Sequence, residues 1–138
     1  MSFVQTLTTS FKQDMLTGAQ DLSTDTLKIA LYTAEASLNA DTTAYSTSDE
    51  VVGTGYTAGG NTLTGVTILT SDTTVYVDFA NSAWNPASFT ARGALIYNAS
   101  KSNKAIAVLD FGADKTATTT FTVQMPANTA TSALIRIA

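Results

Sequence analysis

The chain contains no cysteine and no histidine. Without cysteine there is no disulfide framework, no thiolate metal site and no thiol nucleophile. Without histidine, the side chain best suited to proton transfer near neutral pH and to holding transition metals is missing. A Ser-His-Asp triad therefore cannot be assembled from one copy. Charge is scarce too, at 13% of residues, about half the usual share. Seven Lys and Arg face eleven Asp and Glu, giving a net charge of −4. That balance offers no stripe of cations to neutralise phosphates, so nucleic acid is not an expected partner. It also excludes a highly charged disordered tail. No apolar run approaches the roughly 18 residues that span a bilayer, so no membrane partner is expected. Residues 1–5 show no basic stretch leading into an apolar one, and the expectation is synthesis in a cytoplasm without a secretory leader. Neither a cofactor nor an enzymatic activity is expected. Carboxylate, lysine and calcium chemistry are what the composition leaves open.

What is present is a chain of 138 residues, 44% of them hydrophobic. The length suits a single domain over 1–138, able to bury roughly two-thirds of its unfolded surface without a metal or disulfide. A helix is predicted over 2–20, because Phe3, Leu7, Phe11 and Met15 recur every four residues, with Val4 and Leu16 beside them. Ser2 followed by Gln5 fits a capping box, and Gly18 fits a C-terminal stop. So apolar a face needs a cover, either its own sheet or another subunit.

From Thr26 the period changes to two. Leu27, Ile29 and Leu31 alternate with Lys28, Ala30 and Tyr32, opening a β domain over 26–138. A long loop follows over 33–60, rich in Thr, Ser, Ala, Asp and Gly, with a short strand expected near Glu50-Val51-Val52. It is expected to be the least core-like and most adaptable part of the chain. Strands are then predicted over 61–69, 74–79, 89–98 and 104–111, with turns at 70–73, 99–103 and 112–118 and a break at 81–86 around Trp84. Phe121, Val123 and Met125 alternate up to Pro126, and a last strand is expected over 134–138. Six or seven short strands imply a mainly β fold, an antiparallel sandwich or barrel with one N-terminal amphipathic helix. Threonine supplies nearly one residue in five, which favours extended backbone and keeps faces wet without charge. Sheet edges with few lysines or prolines are sticky, and interface cores are depleted in charge. The composition suits a surface that becomes an interface.

Several motifs invite a chemical reading and do not carry it. Gly53-Thr54-Gly55-Tyr56-Thr57-Ala58-Gly59-Gly60 lacks the Gly-Lys-Ser/Thr ending and the following helix of a phosphate loop, and reads as turns needing positive φ. Asp110-Phe111-Gly112 matches a kinase tripeptide without any other kinase element. Asp49, Glu50, Asp72, Asp78, Asp110 and Asp114 lack the regular spacing of a calcium loop and read as solvated turn carboxylates. Asn98-Ala99-Ser100 is a glycosylation pattern that has meaning only in a secreted chain. Tyr32, Tyr45, Tyr56, Tyr76 and Trp84 offer rings for stacking on sugars, but no cluster at short spacing marks a platform. Arg92 and Arg136, the only arginines, sit inside predicted strands, where a carboxylate of a neighbouring strand or chain can pair with them.

Taken together, several segments resemble a family of small structural proteins of tailed-bacteriophage particles. These are Thr26–Tyr32, Thr43-Ala44-Tyr45-Ser46-Thr47, Gly53–Gly60, Phe89–Asn98, Ala107–Gly112, Phe121–Gln124 and Ala133–Ala138. The resemblance spans almost the whole chain. It implies a virion structural protein made in the host cytoplasm, most often a head decoration (cement) protein that binds the major capsid protein and stabilises the assembled head. It also implies self-association, with a homotrimer favoured, and brings no catalytic motif. A tail or collar component and a host-surface carbohydrate-binding knob are the alternatives. The candidate interface residues are Phe3, Leu7, Phe11, Met15 and Arg92.

Overall fold

The computed structural model describes residues 3–126, 129 and 131–137. The chain begins with a two-residue strand, β1 (Thr6–Leu7), and a short helix, α1 (Thr9–Thr17). Strands β2 (Leu27–Tyr32), β3 (Asn61–Thr62), β4 (Thr67–Ser71) and β5 (Thr74–Asp78) follow. They are succeeded by β6 (Ser82–Trp84), β7 (Phe89–Asn98), β8 (Lys104–Ala117), β9 (Phe121–Val123) and β10 (Ile135–Ile137). All named strand pairs are antiparallel. The fold is mainly β with one short helix near the N-terminus, as the alternation predicts.

A five-stranded sheet in the order β1-β8-β7-β2-β3 forms the centre. Its middle strands are buried on both faces, so they read as nearly continuous apolar runs such as Ala94-Leu95-Ile96-Tyr97. One face packs on α1, on the three-stranded sheet β10-β5-β4 and on the pair β6-β9, around Ile29, Leu31, Ile96, Phe79 and Trp84. The other face is covered by the 33–60 segment and by Phe3, around Ala30, Tyr32, Leu95, Tyr97 and Val108. A bulge where Ile96↔Ala107 gives way to Tyr97↔Ala105 lets Ile106 and Ala107 both join the first core.

The N-terminal expectation needs correcting. The helix covers 9–17, not 2–20, and its cap is Thr8, whose hydroxyl accepts from Phe11 N at 3.2 Å. Ser2 lies outside the described residues. Phe3 and Leu7 are not on the helix at all: Leu7 pairs with Ala107 in β1, and Phe3 bridges to Leu38. The long-range bond from Thr8 N to Ile106 O, at 3.0 Å, holds the chain extended up to the cap. Gly18 does end the helix, with φ 73° and its N–H on Asp14 O.

Other boundaries shift for local reasons. The 33–60 segment forms isolated bridges only, Glu50 meeting Tyr32 where a short strand was expected. Far from lacking a core role, it buries Ala36, Leu38, Glu50 and Val51. The 61–69 run splits into β3 and the start of β4. The break around Trp84 contains β6, paired with β9. The expected turn at 112–118 is a wide bulge inside β8, where Ala91↔Lys115 and Gly93↔Asp110 leave Phe111–Asp114 without partners on β7. Strand β9 stops at Val123, short of Met125, and β10 runs over 135–137, Ala138 lying outside the described residues. No helix among the described residues is long and apolar enough to cross a membrane.

Candidate functional site

The three-stranded sheet has one apolar face, and pairing makes it. Ile68, Val77 and Ile135 are direct cross-strand neighbours, as are Thr70, Val75 and Ile137. Alternation puts both rows on the side facing α1. Val77 and Ile135 are buried in the core, but the far ends of the rows are not: Ile137 is 60% exposed, and Ile68 and Val75 are also open to solvent. Across from them the helix presents Met15, half-buried, and Leu16, 90% exposed. Between helix and sheet lies an open groove of about 630 Å³, floored by Leu7, Phe11, Leu22 and Val77. Lys12 and Asp21 also line it, while Arg136, between Ile135 and Ile137, pairs with Tyr76 and by the same alternation turns its side chain to the other face of the sheet. Strand β4 closes the sheet as an edge whose five residues are all exposed and uncharged.

Three of the predicted interface residues, Leu7, Phe11 and Met15, meet in this groove, though only Phe11 and Met15 share the helix. Phe11 is 2% exposed and belongs to the chain's own core. Phe3 and Arg92 are elsewhere. The Phe3 ring lies over Gly93, where a Cβ would stand 2.4 Å from it, so no larger residue fits. Arg92 closes over that ring at 5.9 Å and pairs with Asp110 of β8 at 2.8 Å. Of the two partners open to Arg92, this structure shows the one on a neighbouring strand. Ile68, Val75, Ile135 and Ile137 were missing from the predicted set. Their alternation is visible in sequence, but the β5–β10 pairing that unites them is not.

A second cluster lies mainly on the opposite face of the central sheet, with Tyr32, Tyr45 and Tyr97, while the Tyr56 ring packs against the first core. Glu50, 6% exposed, accepts hydrogen bonds from Tyr45 Oη at 2.7 Å, Gly59 N at 2.8 Å and Tyr56 Oη. The Tyr56 hydroxyl also accepts from Leu31 N, while Tyr97 donates to Gly59 O at 2.7 Å and Tyr32 to Ser46 O at 2.6 Å. Tyr45 stacks on Tyr97 with centroids 4.6 Å apart. Burial, reinforced by the Glu50 carboxylate, pushes all four phenols above their ordinary range, Tyr97 to about 12. Every polar atom of this cluster has a partner, and its geometry is that of a clamp on the 33–60 segment. Tyr56 also contacts Trp84 and Phe89, so of the five rings considered for sugar stacking only Tyr76 lies outside these internal contacts.

A third polar group fastens the helix end to the β7–β8 hairpin. Asn98, fully buried, donates to Gln20 and Asp25, and Lys101 pairs with Asp25 at 2.8 Å. Burial works against the Asp25 charge, but the bonds from Lys101, Asn98 and Asp21 N outweigh it and hold the carboxyl at about 2. Among the described residues no group of three or more acidic side chains is placed to hold a metal ion. Of the glycines in the 53–60 run, Gly55, Gly59 and Gly60 take positive φ, as turns require, and Gly53 does not. Comparisons with protein families, with curated proteins and with solved structures return no match for this chain.

Proposed function

We propose that this chain is a structural protein of a tailed-bacteriophage particle, a head decoration protein that binds the shell built by the major capsid protein and stabilises it. The observation that carries this reading is the apolar layer between α1 and the β10-β5-β4 sheet, which ends open to solvent in a single copy. Contiguous apolar surface of this kind marks an interaction site. A low-charge, threonine-rich exterior and an uncharged edge strand suit contact with protein rather than with nucleic acid or ions. The resemblance supports the same role, because Thr26–Tyr32, Phe89–Asn98 and Ala107–Gly112 coincide with β2, β7 and the middle of β8, the strands that hold both faces in place.

A decoration protein works by mass action: it binds the assembled shell and not its scattered subunits, and so shifts the balance toward assembly. Buried area and copy number do the work, and no reaction is involved. The test adds purified protein to expanded, undecorated heads. Saturable binding and a raised shell disruption temperature are the expected results. Heads that bind none of the protein overturn the reading.

A further inference from the structure

We propose that strand β4 pairs with β4 of a second copy, antiparallel about a two-fold axis at Leu69, joining two three-stranded sheets into one. The pairing goes beyond the virion reading and does not depend on it. Its basis is the hairpin that carries β4. Ser71 pairs with Thr74 across the turn Asp72-Thr73, and a turn that short makes its closing pair exchange both backbone hydrogen bonds. Alternation then directs the N–H and C=O of Leu69 and Thr67 toward Tyr76 and Asp78 of β5, and those of Ile68 and Thr70 toward the open side. Among the described residues no backbone hydrogen bond meets Ile68 or Thr70 on that side.

These open groups complement themselves. With two copies antiparallel about Leu69, Ile68 of each lies opposite Thr70 of the other, and each such pair exchanges both of its bonds, so every open N–H and C=O of the two residues is matched. Leu69, itself exposed, meets Leu69 of the other copy across the axis, at a non-hydrogen-bonded position where side chains come closest. Thr67 faces Ser71. The strand carries no charge, no proline and no bulge, the devices that ordinarily block an open edge. It packs chiefly on β5 and all its residues are exposed, so the edge stands clear of the rest of the chain.

The other edge of the same sheet fits less well. Because Thr74, Tyr76 and Asp78 bond toward β4, Val75 and Val77 bond toward Ile137 and Ile135, which leaves Arg136 as the β10 residue whose backbone groups turn outward. Strand β4 against β10 of another copy therefore matches Arg136 alone, and leaves further edges open. Strand β10 against β10 sets one arginine beside another, which like charge disfavours. In the β4 pairing the two arginines lie across β5 and β4 from the axis, about 24 Å apart at the usual strand spacing and beyond screening range. Such a two-fold contact is isologous and uses up the edge, so assembly closes at two copies. The axis stands perpendicular to the joined sheet, so both grooves open on the same side. The row Ile135-Val77-Ile68 of one copy runs on through Thr70 to Val75 and Ile137 of the other.

The absence of cysteine makes the register testable by single substitutions. A non-hydrogen-bonded antiparallel pair has Cα atoms about 4.5 Å apart, within disulfide range. Leu69→Cys is therefore expected to give a cross-linked dimer on mild oxidation. Ser71→Cys alone is expected to give none, its two copies being offset by about 14 Å along the strands, whereas Ser71→Cys mixed with Thr67→Cys is expected to cross-link. Sedimentation of the wild type is carried up to about 1 mM, because a contact smaller than a standard interface is weak, and a monomer–dimer equilibrium is expected. Thr70→Pro is expected to abolish it without lowering the melting temperature, since the lost N–H lies on the open side. Leu69→Lys is expected to abolish it too, by setting like charges at the axis. A wild type that stays monomeric throughout overturns the proposal. So does a Leu69→Cys that cross-links no better than Ser71→Cys, and so does association, as dimer or trimer, that survives both Thr70→Pro and Leu69→Lys. A protein that decorates heads yet fails these tests keeps the virion reading and removes this one; register-specific cross-linking without head binding does the reverse.

Discussion

The two faces of the central sheet are covered by opposite means. On one, a segment with no regular strand is held by a single buried carboxylate, three hydrogen-bond donors and a stacked pair of tyrosines. On the other, two small sheets and a helix pack mainly by apolar contact and leave a groove unfilled. A low-charge chain can close a face with irregular backbone if its few polar side chains are fully paired. Where it relies on apolar layering with short elements, the layer ends where the elements end.

Breaking the clamp is expected to have the largest effect. Glu50→Ala leaves Tyr45, Tyr56 and Gly59 N without their acceptor, a loss on the order of 5 kcal/mol. Chemical denaturation measures it. Phe11→Ala, on the groove side, is expected to cost about 3 kcal/mol, the low end for a buried aromatic because the neighbouring groove can relax. If Phe11 proves the costlier of the two, apolar layering rather than the polar clamp dominates.

The faces also differ in their response to pH. An unfolded tyrosine titrates near 10, whereas Tyr97 in the folded chain is pushed up to about 12. The folded state keeps a proton that the unfolded state releases, so this contribution is complete below about pH 10 and is lost as pH rises toward 12. Tyr97→Phe should flatten that alkaline decline in the denaturation midpoint. Asp25 has the opposite sign. Its folded pKa of about 2 lies below the ordinary 3.8, so its contribution holds above about pH 4 and is lost as pH falls toward 2. Lys101→Ala should reduce that acid loss. The smallest effect is expected at Leu16→Asp, whose melting temperature should match a stability change within about 0.5 kcal/mol.

Strands β2 and β7 were legible because their apolar runs admit no other element of that length. The N-terminal helix was half legible, for a physical reason: a spacing of four fits a helical face and also fits a strand, where i and i+4 point the same way. Phe3 and Leu7 took the second option because the partners that decide it, Gly93 and Ala107, lie far along the chain. Glu50 read as a solvated turn carboxylate among threonines and serines, and only its neighbours Tyr45 and Tyr56 hinted at burial. The groove could not be seen at all without the pairing of β5 with β10.

The docking of Phe3–Leu7 has a consequence in time. Translation makes this segment before its partners: its seat over Gly93 and its ladder on Ala107 and Val108 come roughly a hundred residues later. Thr8, the helix cap, waits for the carbonyl of Ile106, 98 positions away. Closing so long a loop is slow compared with local turns. A chain still on the ribosome therefore carries Phe3 and the apolar side of α1 uncovered until β8 has emerged. Synthesis runs in one direction, but this part of the fold is completed backwards, when β8 returns to a segment made long before it.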